Sequence, residues 1–334
     1  MTARLPRSLA LVVGVGGALG VLVAAMCLGE PVVAPTRLLD VLVGADSLER
    51  VVVVELRAPR VLLGLFAGAV LGAAGLLLQE SLRNPLAVPE LLGVSTGAAA
   101  SVALTVVFSV AVPGAPLVPA LGGALVGGGL TLLAARGAVG PAAVLLVGAA
   151  VSAALTAVLL SGVALSDSRE QGVLVRYLLG SLTGTTWETV ATALPGVVLA
   201  LPLAVLVLPA LGVLRLGDDT ATVLGLSTGR ARGAVLAVAC ALVAAVVSVC
   251  GPVAWVGFLA PHLARGLRPE ADPRVWLGWS VVAGAFVVVV ADLVARTVLY
   301  PVELPVGGLT AVVGVGGGAV LAAGHRRTPG RTRT

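Results

Sequence analysis

Long apolar stretches recur along the whole chain, separated by short breaks rich in polar residues, proline or glycine. Each stretch is close to the roughly 20 residues that an α-helix needs to cross the hydrocarbon core of a bilayer. Residues 281–291 are apolar on every face, whereas a barrel strand alternates apolar and polar positions. The pattern therefore predicts an all-α polytopic membrane protein. About ten spans are expected, at residues 9–28, 60–79, 92–111, 117–135, 142–163, 189–211, 233–250, 254–267, 277–298 and 306–324.

Composition and charge support this interpretation and orient the chain. Hydrophobic residues make up 58% of the sequence and charged residues 11%, far from the average of a soluble domain. The eighth span is the shortest and most polar, because it contains Pro261, His262 and Arg265. With ten spans and the N-terminus inside, most arginines fall on the inner side, as the positive-inside rule requires. We therefore expect a multi-pass membrane protein with both termini in the cytoplasm.

Three segments between the spans are long and polar. Residues 1–334 are predicted to form a single transmembrane domain, with external loops at 30–59 and 166–188 and a cytoplasmic segment at 215–232. Loops of this length in a compact protein usually carry function.

Several kinds of chemistry are missing from the sequence. It contains no lysine, so the phosphate-binding loop that ends in Gly-Lys-Ser/Thr is absent and the chain is not expected to hydrolyse ATP itself. The two histidines and three cysteines do not have the spacing of metal ligands. No catalytic residue, metal site or bound cofactor is expected.

Polar clusters stand at the outer ends of two predicted spans. Arg57 and Arg60 stand at the outer mouth of the second span, where they either pair with carboxylates of a docking protein or anchor the helix at the interface. Asp292 and Arg296 are one helical turn apart on the ninth span. This spacing fits a structural ion pair, and it equally fits a role in docking or in the transport pathway.

Two further polar fragments lie on the inner side. Asn84-Pro85 is typical of a turn. Residues 217–227 are expected to form a short helix capped by Asp218 or Asp219, then a glycine stop and a second short piece. A helix along the membrane surface at this place suits coupling to a cytoplasmic motor, although a plain re-entry loop has a similar sequence.

Together these fragments resemble the permease subunits of type II ABC importers for iron–siderophores, haem and vitamin B12, the FecCD-type transport system permease family. The resemblance extends over nearly the whole chain. After Gly307 the chain departs from the family pattern, because residues 314–318 are rich in glycine where the family usually has Gly-x-Pro and bulky apolar residues. The matching fragments are residues 56–60, Gln79 with 83–87, 89–98, 180–182 with Trp187, 224–225, 251–252 with 257–258 and 261–262 with Arg265, 291–292 with 295–296, and 303–307. The resemblance implies a location in the bacterial cytoplasmic membrane.

The resemblance implies a ten-helix permease of an ATP-driven importer, which moves an iron–siderophore or a related chelate such as haem or cobalamin. The implied partners are two ATP-binding cassette subunits that hold ATP and Mg, an extracytoplasmic substrate-binding protein, and a second permease copy or paralogue; no nucleic acid is implied. The ATPase is expected to bind at Asp218, Asp219, Thr220, Ala221, Leu224, Gly225, Leu226 and Ser227, and the binding protein at Arg57, Arg60 and Arg296. The remaining family-motif positions are Gln79, Asn84, Pro85, Gly93, Gly97, Pro261, His262, Arg265, Asp292, Pro305 and Gly307.

The main alternative is a secondary transporter driven by an ion gradient. Such a protein needs membrane-buried acidic residues or unwound helices near the midplane to bind the coupling ion. Asp292 is the one candidate, and it stands towards the end of a predicted span. An intramembrane enzyme would need a catalytic pair at depth, and neither histidine lies in the middle of a span.

Overall fold

The computed structural model describes residues 7–44, 47–114, 116–137, 141–167, 171, 174, 178–269 and 271–326. All regular secondary structure within these residues is helical. The expected loop 166–188 lies partly outside them, as do both chain ends. The helices are α1 (Arg7–Cys27), α2 (Leu38–Val43), α3 (Leu48–Ser81), α4 (Val94–Val107), α5 (Leu117–Ala134), α6 (Pro141–Leu165), α7 (Trp187–Leu206), α8 (Leu208–Leu214), α9 (Asp218–Val223), α10 (Thr228–Cys250), α11 (Val256–Leu267), α12 (Pro273–Thr297) and α13 (Val306–Arg326).

Every predicted span corresponds to a helix, which confirms the all-α polytopic class. In the described part of the chain, six helices are long and apolar enough to cross a membrane, namely α3, α5, α6, α7, α10 and α12. The eighth span is α11, which has only 12 residues and contains Pro261. Its shortness agrees with the polar residues that marked this span in the sequence.

The second span begins earlier than the sequence predicted. Helix α3 is 34 residues long, and its first turns include a π-helical segment at Val51–Arg57. Part of the expected external loop 30–59 is therefore helical. Charged residues such as Glu49 and Glu55 give this stretch the composition of a loop, but Val52 and Val53 are buried and hold it in the helix.

Helix α3 forms the centre of the bundle, and 83% of its most apolar window is buried. It packs most extensively against α12, and also against α10, α11 and α7. The α3–α12 crossing is close because glycines face each other: a Cβ at Gly284 would lie 2.1 Å from the carbonyl oxygen of Gly68. Small residues allow such close helix packing in lipid, and Gly64, Gly68 and Gly72 stand one helical turn apart on α3.

Helices α5, α6 and α7 lie at the periphery. Only 17% of the most apolar window of α6 is buried within the chain, against 33% for α5 and 28% for α7. These helices therefore present large apolar faces outward, as helices in contact with lipid or with another membrane subunit do.

Polar side chains gather at the two ends of the bundle. The Glu303 end contains the start of α3, the end of α12 and the α12–α13 connection. The Asp218 end contains the end of α3, the short helix α9 and the start of α10.

Candidate functional site

At the Glu303 end, one arginine joins two carboxylates. Arg60 Nε donates to both carboxylate oxygens of Asp292, at 2.9 and 3.1 Å, and Arg60 Nη1 lies 2.9 Å from Glu303 Oε2. The Arg60 and Asp292 side chains are 9% and 3% exposed. A charge buried this deeply needs a partner, and the pair ties α3 to α12.

The other two predicted docking arginines are also engaged within the chain. Arg57 donates to the backbone oxygens of Met26, Cys27 and Pro31, at 2.9, 3.0 and 2.7 Å. Arg296 donates to the Ala25 carbonyl, and its Nε lies 3.9 Å from Asp292 Oδ2.

Arg57, Arg60 and Arg296 are only 5%, 8% and 7% exposed. Contact of a guanidinium group with a docking protein therefore requires these internal bonds to open, and the docking role stays a prediction. The structural ion-pair interpretation of Asp292 and Arg296 fits the observed geometry.

Glu303 is a member of this cluster that the sequence analysis did not single out. It accepts a hydrogen bond of 2.6 Å from Thr183 Oγ1 in the loop before α7. Burial by itself would raise the pKa of the Glu303 carboxyl, but the bond from Thr183 and the charge of Arg60 hold that pKa below its ordinary value. An acidic residue between two predicted spans was the available signal.

At the Asp218 end, the predicted short helix is present as α9, but its capping differs from the prediction. The N-cap residue is Gly217, and no side chain caps the helix. The prediction that Asp218 or Asp219 caps it was wrong, because both aspartates lie inside the first turn and the Asp218 carboxylate pairs with arginines instead. The predicted glycine stop is Gly225, whose φ of +82° favours glycine.

The piece after Gly225 is not short, since α10 begins at Thr228 and runs to Cys250. The candidate coupling residues surround this turn. Ala221 is fully buried, whereas Thr220 is exposed and Leu224 is 60% exposed. Leu226 packs against the core, and Ser227 is the N-cap residue of α10. The exposed tip can therefore contact another protein while the base of α9 is fixed.

A network of ion pairs surrounds the base of α9. Asp218 Oδ1 lies 2.8 Å from Arg232 Nη2 and 3.7 Å from Arg83 Nη2. Glu80 bridges Arg215 at 2.8 Å and Arg265 at 3.0 Å. An open cavity of about 340 Å³ beside these residues is lined by Gln79, Glu80, Arg83, Pro85, Arg215 and Arg265.

The motif residues of the sequence occupy packing and turn positions. Gln79 Nε2 donates to the Gly257 carbonyl at 3.1 Å, and Gln79 Oε1 accepts from Arg265, which joins α3 to α11. His262 Nδ1 lies 2.8 Å from the Phe258 carbonyl, and Pro261 is buried inside α11. Asn84 Oδ1 accepts from the Leu86 amide at 2.9 Å, as expected for the predicted turn.

Three motif residues lie where backbones approach each other. Gly93 has a φ of +72° and precedes α4. A Cβ at Gly97 would lie 2.2 Å from the Gly123 carbonyl oxygen. A Cβ at Gly307 would lie 2.1 Å from the Leu179 carbonyl oxygen. The Pro305 carbonyl accepts from the Leu309 amide in the first turn of α13.

The glycine-rich departure from the family pattern also has a packing role. A Cβ at Gly314 would lie 2.4 Å from Trp255 Cβ and 2.7 Å from its ring. Glycine at this position therefore leaves room on α13 for the indole side chain.

Among the described residues, no group of three or more His, Cys, Asp or Glu side chains is arranged to hold a metal ion. Cys27, Cys240 and Cys250 are buried free thiols. The charged side chains described above form buried ion pairs between Arg60 and Asp292 and partly exposed ion pairs at the Asp218 end.

Comparison with known proteins agrees with this architecture. The Fe(3+)-citrate import system permease protein YfmD of Bacillus subtilis is 35% identical over 269 residues, which is 80% of each chain. The Fe(3+) dicitrate transport system permease protein FecD of Escherichia coli is 38% identical over 265 residues, which is 79% of this chain and 82% of FecD.

A solved structure described as an inward-facing ABC transporter of metal-chelate type has a TM-score of 0.79 at 26% identity, covering 92% of this chain and 98% of its own. The model of the FecCD transport family matches residues 17–316. The chain therefore belongs to the FecCD transport family.

Proposed function

We propose that this chain is the membrane-spanning permease subunit of an ATP-driven importer and that its substrate is an iron(III) chelate. The observation that carries the proposal is the family match over residues 17–316, together with relatives named for Fe(3+)-citrate import. Iron–siderophore chelates are the proposed substrate class, and haem and cobalamin are the related chelates against which it is tested.

In this proposal, two ATP-binding cassette subunits hold ATP and Mg and bind the exposed tip of α9. The shape of α9 supports the assignment: it is short, it ends at Gly225, and its Leu224 side chain points outward. Closure of the ATPase pair would move α9 and shift the permease between inward-facing and outward-facing states, a change of population driven by differential binding. This orientation puts the Asp218 end and both chain termini in the cytoplasm.

A second permease copy or paralogue completes the transport pathway in this proposal. The weakly buried faces of α5, α6 and α7 support it, because they are free to contact another membrane subunit. A chelate would then cross between the two permeases.

The Glu303 end is proposed to receive an extracytoplasmic binding protein. Three arginines meet there, Arg57, Arg60 and Arg296, and guanidinium groups pair with carboxylates of an acidic partner. Arg57 is the best test residue because it binds only backbone oxygens, and its removal leaves no carboxylate unpaired. Arg57→Gln should weaken binding of the loaded binding protein in lipid nanodiscs, whereas Glu49→Gln, in the exposed pair with Arg37, should not. Unchanged affinity in folded Arg57→Gln would refute the docking role.

The proposed function is tested with the purified permease and its neighbouring ATPase in lipid vesicles. ATP hydrolysis and uptake are measured with the binding protein loaded with ferric citrate, a ferric siderophore, hemin or cobalamin. We expect stimulation by a ferric chelate. Stimulation by hemin or cobalamin alone would overturn the substrate assignment. Absence of any ATPase association, with uptake driven by an ion gradient, would replace the proposal with a secondary transporter.

A further inference from the structure

Two acidic residues of the Asp218 end, Asp218 and Glu80, hold partners from different helices. Asp218, in the first turn of α9, pairs with Arg232 of α10 and approaches Arg83 in the turn after α3. Glu80, near the end of α3, bridges Arg215 and Arg265. The six side chains therefore connect the start of the α9 segment to α3, α10 and α11.

The Asp218–Arg232 pair is the most protected contact of α9. The Arg232 side chain is 9% exposed, and its Nε also donates to the Ser81 carbonyl at 3.3 Å. Separating the pair is costly on the arginine side, because the buried guanidinium would lose its carboxylate partner, whereas the Asp218 side chain is 36% exposed. A displacement of Asp218 is therefore expected to carry α10 and the end of α3 with it.

Arg215 gives the segment a second attachment. It is the residue that follows α8, and its guanidinium carbon lies 4.5 Å from the centre of the Trp276 ring at the start of α12. Its bond to Glu80 extends the connection to α3 and, through Arg265, to α11. Both contacts are made by Arg215, which precedes α9 in the chain.

The tip of α9 is different. Val223 and Leu224 are 87% and 60% exposed, and a Cβ at Gly225 would meet no atom within 4 Å. In the described part of the chain, α9 is thus held at its base by ion pairs and by the buried Ala221 side chain, and it leaves its tip open.

We propose that the Asp218–Arg232 and Glu80–Arg215–Arg265 ion pairs are the mechanical connection by which movement of α9 is passed to α3, α10 and α11. This inference rests on the proposed function, and it divides the coupling segment into a tip that contacts the ATPase and a base that transmits the displacement. Asp218, Glu80 and Arg232 are positioning residues in this scheme, since they act through the helices to which they are tied.

The test compares the number of chelate molecules imported per ATP hydrolysed in reconstituted complexes. In Asp218→Asn we expect hydrolysis to continue while import per ATP falls about fivefold or more, within the range of coupling free energies between sites. Asp218→Glu, which keeps the charge, should restore most of the ratio. Asp272→Asn is the matched control, because Asp272 caps α12 at the same end through backbone amides and should leave the ratio unchanged.

A purely structural role predicts another result. If the network only stabilises the fold, Asp218→Asn would lower hydrolysis and import in proportion and leave their ratio unchanged, which would overturn the inference. If Asp218→Asn does not accumulate in cells, Arg215→Gln is tested instead. It removes one ion pair with Glu80, and the Arg215 side chain is 33% exposed. The same fall in import per ATP is expected. A wild-type complex without ATP-driven import would instead refute the proposed function itself.

Discussion

Arg60 is the residue on which the buried charges of the Glu303 end converge. Its guanidinium group binds the Asp292 carboxylate through Nε and the Glu303 carboxylate through Nη1. Removing one partner of such a buried pair leaves the other charge without compensation, whereas removing both charges together is far less costly.

Arg60→Gln should therefore lower the free energy of unfolding by about 3–5 kcal/mol. Asp292→Asn in the same chain should recover part of this loss, because the buried Asp292 carboxylate disappears, while Glu303 is 34% exposed and keeps the bond from Thr183. Thermal unfolding of the single and double variants in detergent measures both effects. Additive losses in the double variant would contradict a direct coupling between the two side chains.

Glu303 makes the stability of the same cluster depend on pH. Its pKa in the folded protein is below the ordinary value of 4.5, so its contribution to stability is present at neutral pH. That contribution is lost as the pH falls from the ordinary value through the lower pKa of the folded state.

We expect Glu303→Gln to have a lower melting temperature than the wild type near neutral pH, with the difference shrinking towards about pH 4. Melting curves of both proteins across this range provide the measurement. Thr183→Val removes the hydrogen bond to Glu303 and should show a smaller effect of the same sign. A difference independent of pH would indicate that the carboxylate charge is not what stabilises the loop.

Among the helices, α3 and α12 cross with almost no space between their backbones. A Cβ at Gly284 would lie 2.1 Å from the Gly68 oxygen, whereas a Cβ at Gly278 on the same helix would meet nothing within 4 Å. The two glycines therefore form a matched pair for testing the packing.

Gly284→Ala should force α3 and α12 apart and cost about 1–3 kcal/mol of stability, the usual effect of overpacking. Gly278→Ala should be neutral or stabilise the protein by up to about 1 kcal/mol, because alanine is the better helix former. The melting temperatures of the two variants in detergent measure these effects. Equal effects of the two substitutions would mean that helix propensity, and not the crossing, governs this pair.

At the scale of the whole molecule, the orientation in the membrane follows from which end faces the cytoplasm. Val43 near the Glu303 end and Val223 at the tip of α9 are 88% and 87% exposed. The native cysteines Cys27, Cys240 and Cys250 are buried, so they should react slowly with a bulky maleimide.

With the permease expressed alone, Val43→Cys should be labelled by a membrane-impermeant maleimide in intact cells. Val223→Cys should be labelled only after the cells are permeabilised. The reverse pattern would invert the proposed topology and move the coupling role away from α9. Wild-type protein serves as the control for labelling of native cysteines.

Much of the fold was predictable because it depends on local sequence. The length of an apolar stretch decides whether a helix can span the bilayer. Nine of the ten predicted stretches each correspond to one helix, and residues 189–211 correspond to α7 and the start of α8. The start of α3 was missed because Glu49 and Glu55 give a helical segment the composition of a loop. The capping of α9 was missed because the carboxylate of Asp218 pairs with Arg232 from the next helix.

The amino-acid order by itself thus determined the class of protein, the approximate number of spans, the glycine spacing of α3 and the family fragments. Only the tertiary structure decided which charges meet. Arg60 is 232 positions from Asp292 and 243 from Glu303 in the chain, and no local pattern connects residues so far apart. Helix packing brings them within hydrogen-bond distance, and the low polarity of the interior then makes their pairing obligatory.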